Sequence, residues 1–133
     1  MFFVTDTHAL IHHLTGRKSR FGRRARRIFD RVERGFDTIL VPFTVLEELM
    51  LLSDNGKIRL SLPFRDLLVS FAQADNFDLG VNDTQLLLEA AALIGIKDPY
   101  DRMITAQARI AGLPLITGDD KIQQSNLVRT VWD

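Results

Sequence analysis

Acidic residues recur where short apolar runs of this sequence end, and they are the residues best able to do chemistry. One acid directly follows the run at Phe2–Thr5, and two more follow the run at 113–117. Others lie in the segment after Thr38–Val41 or flank the start of a later helical segment. In chain order these acids are Asp6, Glu47, Glu48, Asp98, Asp101, Asp119 and Asp120. A carboxylate at the end of a buried strand is costly unless a positive group meets it, so the pattern indicates a cationic partner.

Carboxylates that converge on one place either raise one another's pKa or bind a divalent cation. Oxygen-only ligand sets suit Mg²⁺ or Mn²⁺, which keep several waters and bind a few protein carboxylates together with substrate phosphates. A cluster of this kind, without Cys or His ligands, is typical of two-metal phosphodiester hydrolysis, in which one ion activates water and the other stabilises the leaving oxygen. The acids therefore favour metal-dependent phosphodiester chemistry.

Helix capping is the alternative explanation for the aspartates. The side-chain oxygen of an aspartate that precedes a helix accepts hydrogen bonds from free amides, and its charge suits the helix dipole. Capping does not explain an acid pair inside a helix, such as Glu47 and Glu48, or the gathering of acids at strand ends. His8, close to Asp6, is expected to be a packed, hydrogen-bonded residue rather than a ligand.

Apolar patterning predicts that strands and helices alternate along the chain. The expected strands are 2–5, 38–41, 77–81, 113–117 and 127–132. The expected helices are 7–14, 21–34, 45–52, 63–74, 84–93, 100–111 and a short one that follows 118–120. The strands are apolar throughout, which indicates a parallel sheet with helices on both faces. Ligands of such sheets bind beyond the carboxyl ends of the strands, so the acids should share one edge.

The composition indicates a single globular domain over residues 1–133. Hydrophobic residues make up 46% of the chain, enough for a real core, and 26% of the residues are charged. The absence of cysteine excludes disulfides, thiolate zinc sites and Cys nucleophiles, and it fits a reducing cytoplasm, where we expect the protein to act. Neither a signal peptide nor a membrane-spanning run is visible, so no membrane partner is expected.

Positive charge is concentrated in one segment although the whole chain is neutral. The chain has 17 basic and 17 acidic residues, and the window 17–34 holds nine of the basic ones with only Asp30 and Glu33 as acids. Separated charge of this kind indicates a polyanionic partner.

Three stretches, taken in order, resemble one known family. They are "FVTDTHALI", "VPFTVLEELMLL" followed by "GKI", and "KDPYDRMITAQARIAGLPLITGDDKI". Together they resemble the PIN-domain ribonucleases, in particular the VapC-like toxins of bacterial toxin–antitoxin pairs, over nearly the whole chain. The resemblance implies an α/β protein, a three-layer α/β/α PIN-like domain with a central, mainly parallel sheet of four to five strands.

The resemblance also selects four of the acids as metal-binding and catalytic residues. Asp6 matches the family's first aspartate, and Asp101 and Asp119 match its third and fourth acids. Glu48 matches the glutamate, because it stands eight residues before the Gly-Lys pair; Glu47 is the second choice. The implied cofactor is Mg²⁺ or Mn²⁺.

Three accessory residues follow from the same match. Thr117 resembles the polar residue that positions substrate or a metal-bound water. Asp98 and Arg102 resemble residues that shape the start of a helix.

The function implied is that of an endoribonuclease and toxin, with RNA as substrate and a small antitoxin as partner. A homodimer is implied as well, and apolar helix faces such as 64–71 could form it. Two alternatives remain: a phosphoacceptor domain of the receiver type, which also gathers acids and Mg²⁺ at strand ends, and a PIN domain that binds RNA without cutting it.

The resemblance does not explain the basic segment, which is unusually rich in arginine for this family. It is either a solvated helix face, an RNA-phosphate contact surface or a dock for an acidic antitoxin segment. The candidate RNA-binding residues are Arg17, Lys18, Arg20, Arg23, Arg24 and Arg27.

Overall fold

A five-stranded parallel sheet forms the centre of the computed structural model, which describes all 133 residues. The strands are β1 (Phe2–Thr5), β2 (Thr38–Val41), β3 (Phe77–Leu79), β4 (Leu115–Ile116) and β5 (Thr130–Val131). The helices are α1 (Thr7–Leu14), α2 (Arg23–Glu33), α3 (Phe43–Asp54), α4 (Phe64–Gln73), α5 (Thr84–Ala92), α6 (Pro99–Ala111) and α7 (Asp120–Ser125). The strand order is β3-β2-β1-β4-β5, with helices on both faces, so the predicted three-layer α/β/α fold is confirmed.

The strand β4 is shorter than the sequence predicts, for a local reason. The amide of Leu113 closes the end of α6 by donating to Ala108 O (3.1 Å), so it is not free for the sheet. Pro114 has no amide hydrogen to donate. The first regular pairing therefore begins at Leu115, opposite Val4.

The helix α2 buries one face and exposes its charge. Ala25, Ile28, Phe29 and Val32 pack in the main core, which joins them to the buried residues of β1, β2 and β4. The arginines between these positions face solvent. The helix begins at residue 23 rather than 21, because Gly22 is the extended residue that precedes it.

The apolar face of α4 contributes to the protein's own core. Leu67 and Phe71 are buried there, and Phe64 and Leu68 pack partly against the same cluster. Of the face at 64–71 that could form a homodimer, Leu67 and Phe71 are therefore taken up by the core, whereas Val69 remains exposed. None of the helices has the length and apolar character needed to cross a membrane.

Candidate active site

Two neighbouring strands deliver polar residues to the same edge of the sheet. β1 and β4 pair in parallel, with Thr5 opposite Ile116, and the next residues in each chain segment are Asp6 and Thr117. The Asp6 amide continues the pairing by donating to Ile116 O (3.1 Å). The connections from β1 and β4 leave toward opposite sides of the sheet, and a crevice opens at such a switch point.

A cleft of about 410 Å³ lies at this switch point and brings the predicted acids together. Its acidic lining residues are Asp6, Glu48, Asp98, Asp101 and Asp119. The structure separates the two glutamates of α3, because Glu47 is exposed and does not line the cleft. Glu48 is therefore the glutamate that reaches the site.

Three of the aspartates cap helices at the cleft as well. Asp6 Oδ1 accepts a hydrogen bond from the Ala9 amide (2.8 Å) at the start of α1. The same contact recurs at α6 and α7, where Asp98 accepts from Asp101 N (3.0 Å) and Asp119 accepts from Ile122 N (3.0 Å). Capping and convergence are thus not alternatives, because the caps fix the carboxylates at the positive ends of three helices.

Glu48 is fixed by a side chain from another helix. The Thr7 hydroxyl, in the first turn of α1, donates a hydrogen bond to Glu48 Oε1. This contact ties the middle of α3 to the end of β1, and it leaves the second carboxylate oxygen of Glu48 without a protein donor.

The carboxylates of the cleft have no positively charged protein partner. No lysine, arginine or histidine lies within ion-pair distance of any of the five, although four such pairs with other acids exist elsewhere. Burial raises the pKa of the Asp6 carboxyl, and hydrogen bonds from Thr117 and the Ala9 amide offset part of that rise. Asp6 is 6% exposed, so its charge is held in a poorly solvated place.

Asp101 shows most clearly how the acids affect one another. Burial and then the negative charge of Asp98, Asp119, Asp6 and Glu48 raise the pKa of Asp101 to about 6. A bound cation would relieve this repulsion.

The donor set fits an open, hydrated cation site. No three acidic or histidine side chains lie close enough together to form a preformed metal cage. Mg²⁺ does not require one, because it keeps several waters and takes only one or two carboxylates directly. Oxygen-only donors with repelling charges suit such an ion.

Comparison with known proteins identifies the fold family. The family model for the PIN domain matches residues 3–126. The chain belongs to the PIN domain family. No curated protein matches the chain.

Solved structures of toxin–antitoxin proteins share the fold of this PIN domain. A chain of VapBC2 from Rickettsia felis, bound to a DNA fragment from their promoter, is similar over 100% of both chains, with a TM-score of 0.70 and 15% identity. A chain of DNA-bound VapBC from Salmonella typhimurium gives 0.66 and 20% identity, covering 98% of this chain and 97% of that one. A toxin–antitoxin complex from Klebsiella pneumoniae gives 0.67 and 18%, covering 96% and 94%.

Of the three accessory residues of this PIN domain, Asp98 lines the cleft, whereas Thr117 and Arg102 lie behind or beside it. Thr117 is fully buried and does not line the cleft; its hydroxyl accepts a hydrogen bond from the Asp119 amide (3.1 Å). Arg102 points toward α5, where it donates to the carbonyls of Ala90 (2.6 Å) and Ala91 (2.9 Å). Both hold elements that carry acids, and neither is placed to contact substrate.

Further lining residues of the cleft are His8, His12, Arg20, Gly118 and Trp132. The sequence indicated Arg20 only as a candidate RNA-binding residue and did not place the others in the site. His8 is exposed at the cleft, so the prediction that it is packed is wrong. No motif marks these residues, because they come from four separate places in the chain.

The basic residues of the segment 17–34 are all exposed, but only one of the candidate RNA-binding residues among them reaches the cleft. Of the six candidate RNA-binding residues, only Arg20 lines the cleft. Lys18 lies 3.8 Å from Asp30, while Arg23, Arg24 and Arg27 have no ion-pair partner.

Proposed function

We propose that this PIN domain is a divalent-cation-dependent endoribonuclease that acts in the cytoplasm as the toxin of a toxin–antitoxin pair. One observation carries the proposal: five carboxylates line a single cleft at the switch point of the sheet, and none forms an ion pair with a basic residue of the chain. Their positive partner is therefore expected from outside, as a cation that also binds a phosphate of the substrate.

The four acids Asp6, Glu48, Asp101 and Asp119 are proposed to hold Mg²⁺ or Mn²⁺. When bound, the cation lowers the pKa of water and stabilises negative charge on the leaving oxygen. The chain supplies orientation: the Thr7 hydroxyl holds one oxygen of Glu48, and backbone amides hold one oxygen of Asp6 and Asp119. Asp6 also accepts a hydrogen bond from Thr117, and the carboxylate oxygens that have no protein donor are left for the cation. No side-chain nucleophile is needed.

An extended substrate has a path across the site. A second groove of about 910 Å³ adjoins the cleft, and it is lined mainly by the segment between α5 and α6 and by α7. The two share the carboxylates of Asp98, Asp101 and Asp119. The groove carries Lys97 and Lys121, and the cleft carries Arg20, so cations stand on both sides of the acids. A polyanion could thus bind on either side of the reacting phosphate.

The arginines of α2 support a polyanionic partner, because they do not help the helix. Arg23 and Arg24 occupy its first turn, where no acid is present and positive charge opposes the helix dipole. Exposed arginines kept at such a position are better explained by contacts with phosphates than by stability.

An antitoxin partner is proposed because the similar solved structures are described as VapBC or toxin–antitoxin complexes. A homodimer remains part of the proposal, on a surface other than the α4 face.

The test of the antitoxin partner is coexpression with the product of a short reading frame directly upstream. We expect a stable complex by size-exclusion chromatography, and loss of RNA cleavage in that complex.

The decisive experiment compares Glu48→Gln with Glu47→Gln on single-stranded RNA in the presence of Mg²⁺ or Mn²⁺. The two glutamates are neighbours in one helix, but only Glu48 lines the cleft. Glu48→Gln should reduce cleavage by about 100-fold or more, since supporting residues of metal sites alone can cost that much. Glu47→Gln should cleave like the wild type, and EDTA should stop both. Equal loss in the two variants would contradict the assignment.

The two alternatives predict other outcomes. A PIN domain that only binds RNA would retain RNA of any sequence intact with either cation. A receiver-type phosphoacceptor would be phosphorylated by acetyl phosphate; membership of the PIN family removes the fold basis for it.

A further inference from the structure

Part of the cleft lining is aromatic and cationic, and we call this part the aromatic wall. It contains His12, Arg20 and Trp132, and none of these is part of the acid set. Trp132 is the only tryptophan of the chain, and Arg20 is the only lysine or arginine that lines this cleft. A metal site alone gives no reason for such a wall.

The indole of Trp132 is held firmly in place. A Cβ atom added to Gly118 would lie 2.8 Å from Trp132 Cε2, so the ring fills the space that a side chain there would need. The Trp132 carbonyl accepts a hydrogen bond from the Ala25 amide (3.0 Å), which anchors the backbone to the start of α2. The Phe21 ring supports the indole at 6.0 Å between centroids. The indole is only half-buried, so part of it stays accessible from the cleft.

The guanidinium of Arg20 is available for a ligand. Its side chain is exposed and forms no ion pair, although the cleft contains five acids. Its neighbour Lys18, in the same short helical turn, lies near Asp30 instead. Arg20 therefore presents a free cation to the same cleft that the indole of Trp132 lines.

We propose that Trp132 and Arg20 form a nucleotide subsite, in which the indole stacks on an RNA base next to the scissile phosphate and Arg20 binds an adjoining phosphate. This rests on the proposed function, because it supplies the substrate contacts of that same cleft. Single-stranded RNA bases stack on aromatic side chains, and guanidinium groups pair with phosphates. The cleft volume of about 410 Å³ lies in the range of small-ligand sites. Every base has a stacking face, so the subsite would accept all four with a preference for purines.

The first test measures binding without any cleavage. Emission from the single tryptophan reports on position 132 alone when it is excited at the red edge of its absorption band. With Mg²⁺ present, AMP should quench this emission saturably and more strongly than UMP. Ribose 5-phosphate and inorganic phosphate, which lack a base, should not. Equal quenching by ribose 5-phosphate, or none by AMP, would overturn the subsite.

A matched pair of arginine variants tests the phosphate contact. Arg20→Gln should weaken AMP binding by about tenfold, the size expected for loss of a charge-assisted hydrogen bond. Arg26→Gln removes the same charge from an exposed position on α2 that does not line the cleft, and it should leave AMP binding unchanged. If the two variants weakened AMP binding equally, Arg20 would contribute only through the overall positive charge of the protein, and its proposed phosphate contact would be overturned.

The third test uses the RNA reaction. Trp132→Leu should raise KM by about tenfold, within the range for loss of one stacked base, and leave kcat nearly unchanged. Trp132→Phe, which keeps a stacking face, should restore most of the affinity. Thermal unfolding shows whether both variants are folded. If Trp132→Leu does not fold, AMP quenching of the wild type and the Arg20→Gln variant still test the subsite.

The two proposals fail in different ways. AMP has no phosphodiester bond, so quenching by AMP without any RNA cleavage would support the subsite and contradict the nuclease. RNA cleavage that depends on Glu48, without AMP quenching and with an unchanged KM in Trp132→Leu, would overturn the subsite alone.

Discussion

Each capping aspartate at the cleft uses one carboxylate oxygen for its helix, and this determines how it can be tested. An asparagine keeps the capping oxygen but removes the charge, so it separates the structural role from the proposed catalytic one. An alanine would remove both and cost about 1 kcal/mol of stability through the lost cap. The amide is therefore the informative replacement at Asp6, Asp98 and Asp119.

Asp6→Asn should abolish RNA cleavage while leaving the melting temperature of the metal-free protein equal or higher. The cap to the Ala9 amide survives, and the cost of a buried charge disappears. Asp83→Asn is the control, because Asp83 caps α5 through an equivalent contact to the Leu86 amide (2.9 Å) outside the cleft. It should cleave normally. Cleavage by Asp6→Asn at the wild-type rate would remove Asp6 from the site.

The Asp101→Asn variant should show the repulsion in the cleft as a pH dependence of stability. The pKa of Asp101 is raised to about 6 by burial and neighbouring acids, so the folded protein holds a proton that the unfolded chain releases near pH 4. The charged form thus destabilises the fold above that pKa. Without metal, the variant should be more stable than the wild type at pH 7.5, and the difference should shrink toward pH 4. A difference in unfolding free energy that does not change with pH would contradict this.

Single residues were predictable from the sequence where a strand end fixes their position. Asp6 and Asp119 follow predicted strands, so their convergence could be expected. The wall of His8, His12, Arg20 and Trp132 could not, because its members meet only when α1 and the segments that precede α2 and follow β5 pack together.

At the scale of elements, the start of α2 packs directly against Trp132, which follows β5. Gly22 allows them to touch: a Cβ atom there would lie 2.3 Å from the carbonyl oxygen of Trp132. That oxygen also accepts the Ala25 amide, one of the free amides of the helix start. The basic helix and the aromatic wall of the cleft are therefore positioned by the same contact.

Gly22→Ala should lower stability by about 1–3 kcal/mol, because backbone atoms must move to make room for the added methyl. Gly95→Ala is the control: nothing lies within 4 Å of a Cβ atom there and its φ is not in the left-handed region, so stability should be unchanged or slightly higher. Denaturant unfolding of both variants measures this. Equal stability of the two would show that the close approach is not a real constraint.

Replacing the α2 arginines should weaken RNA binding without weakening the fold. The triple variant Arg23→Gln, Arg24→Gln, Arg27→Gln should reduce the salt dependence of binding, by about 0.7 in slope for each lost phosphate contact. The control is a triple variant of exposed arginines elsewhere, Arg59→Gln, Arg65→Gln and Arg129→Gln, which removes equal charge. The same change of slope in both would mean that α2 has no specific role.

Helix and strand types were predictable because apolar periodicity is strong along the chain. The ends of the helices and strands were less predictable. The start of α2 depends on Gly22, and the start of β4 depends on the Leu113 amide, which already donates its hydrogen bond to α6. Such competition for backbone donors is decided in three dimensions.

For the whole molecule, the neutral net charge conceals a division between a basic helix and an acidic cleft. The folded protein concentrates negative charge where it is poorly solvated, and it lacks internal cations to balance it. The parallel sheet and its switch point could be predicted, since they follow from the order of apolar strands. Which surfaces bind partners could not, because the α4 face that looked free belongs to the core.

Mg²⁺ or Mn²⁺ should raise the melting temperature of the wild type, because a ligand that binds only the folded state stabilises it. The gain should reach about 2.7 kcal/mol at a hundredfold excess over Kd. Asp6→Asn should show a smaller shift, and NaCl at matched ionic strength should not reproduce it. Differential scanning calorimetry gives the values. Identical shifts in wild type and variant would place the cation elsewhere.

The parallel pairing of β1 with β4 has a consequence for synthesis of the protein. Val4 pairs with Leu115, so β1 must wait for a partner strand that is synthesised much later. Asp6 cannot meet Asp101 and Asp119 on a growing chain until those residues have left the ribosome. A nascent chain stalled before β4 should therefore lack the assembled cleft, and with it the ribonuclease activity that we propose for the folded domain.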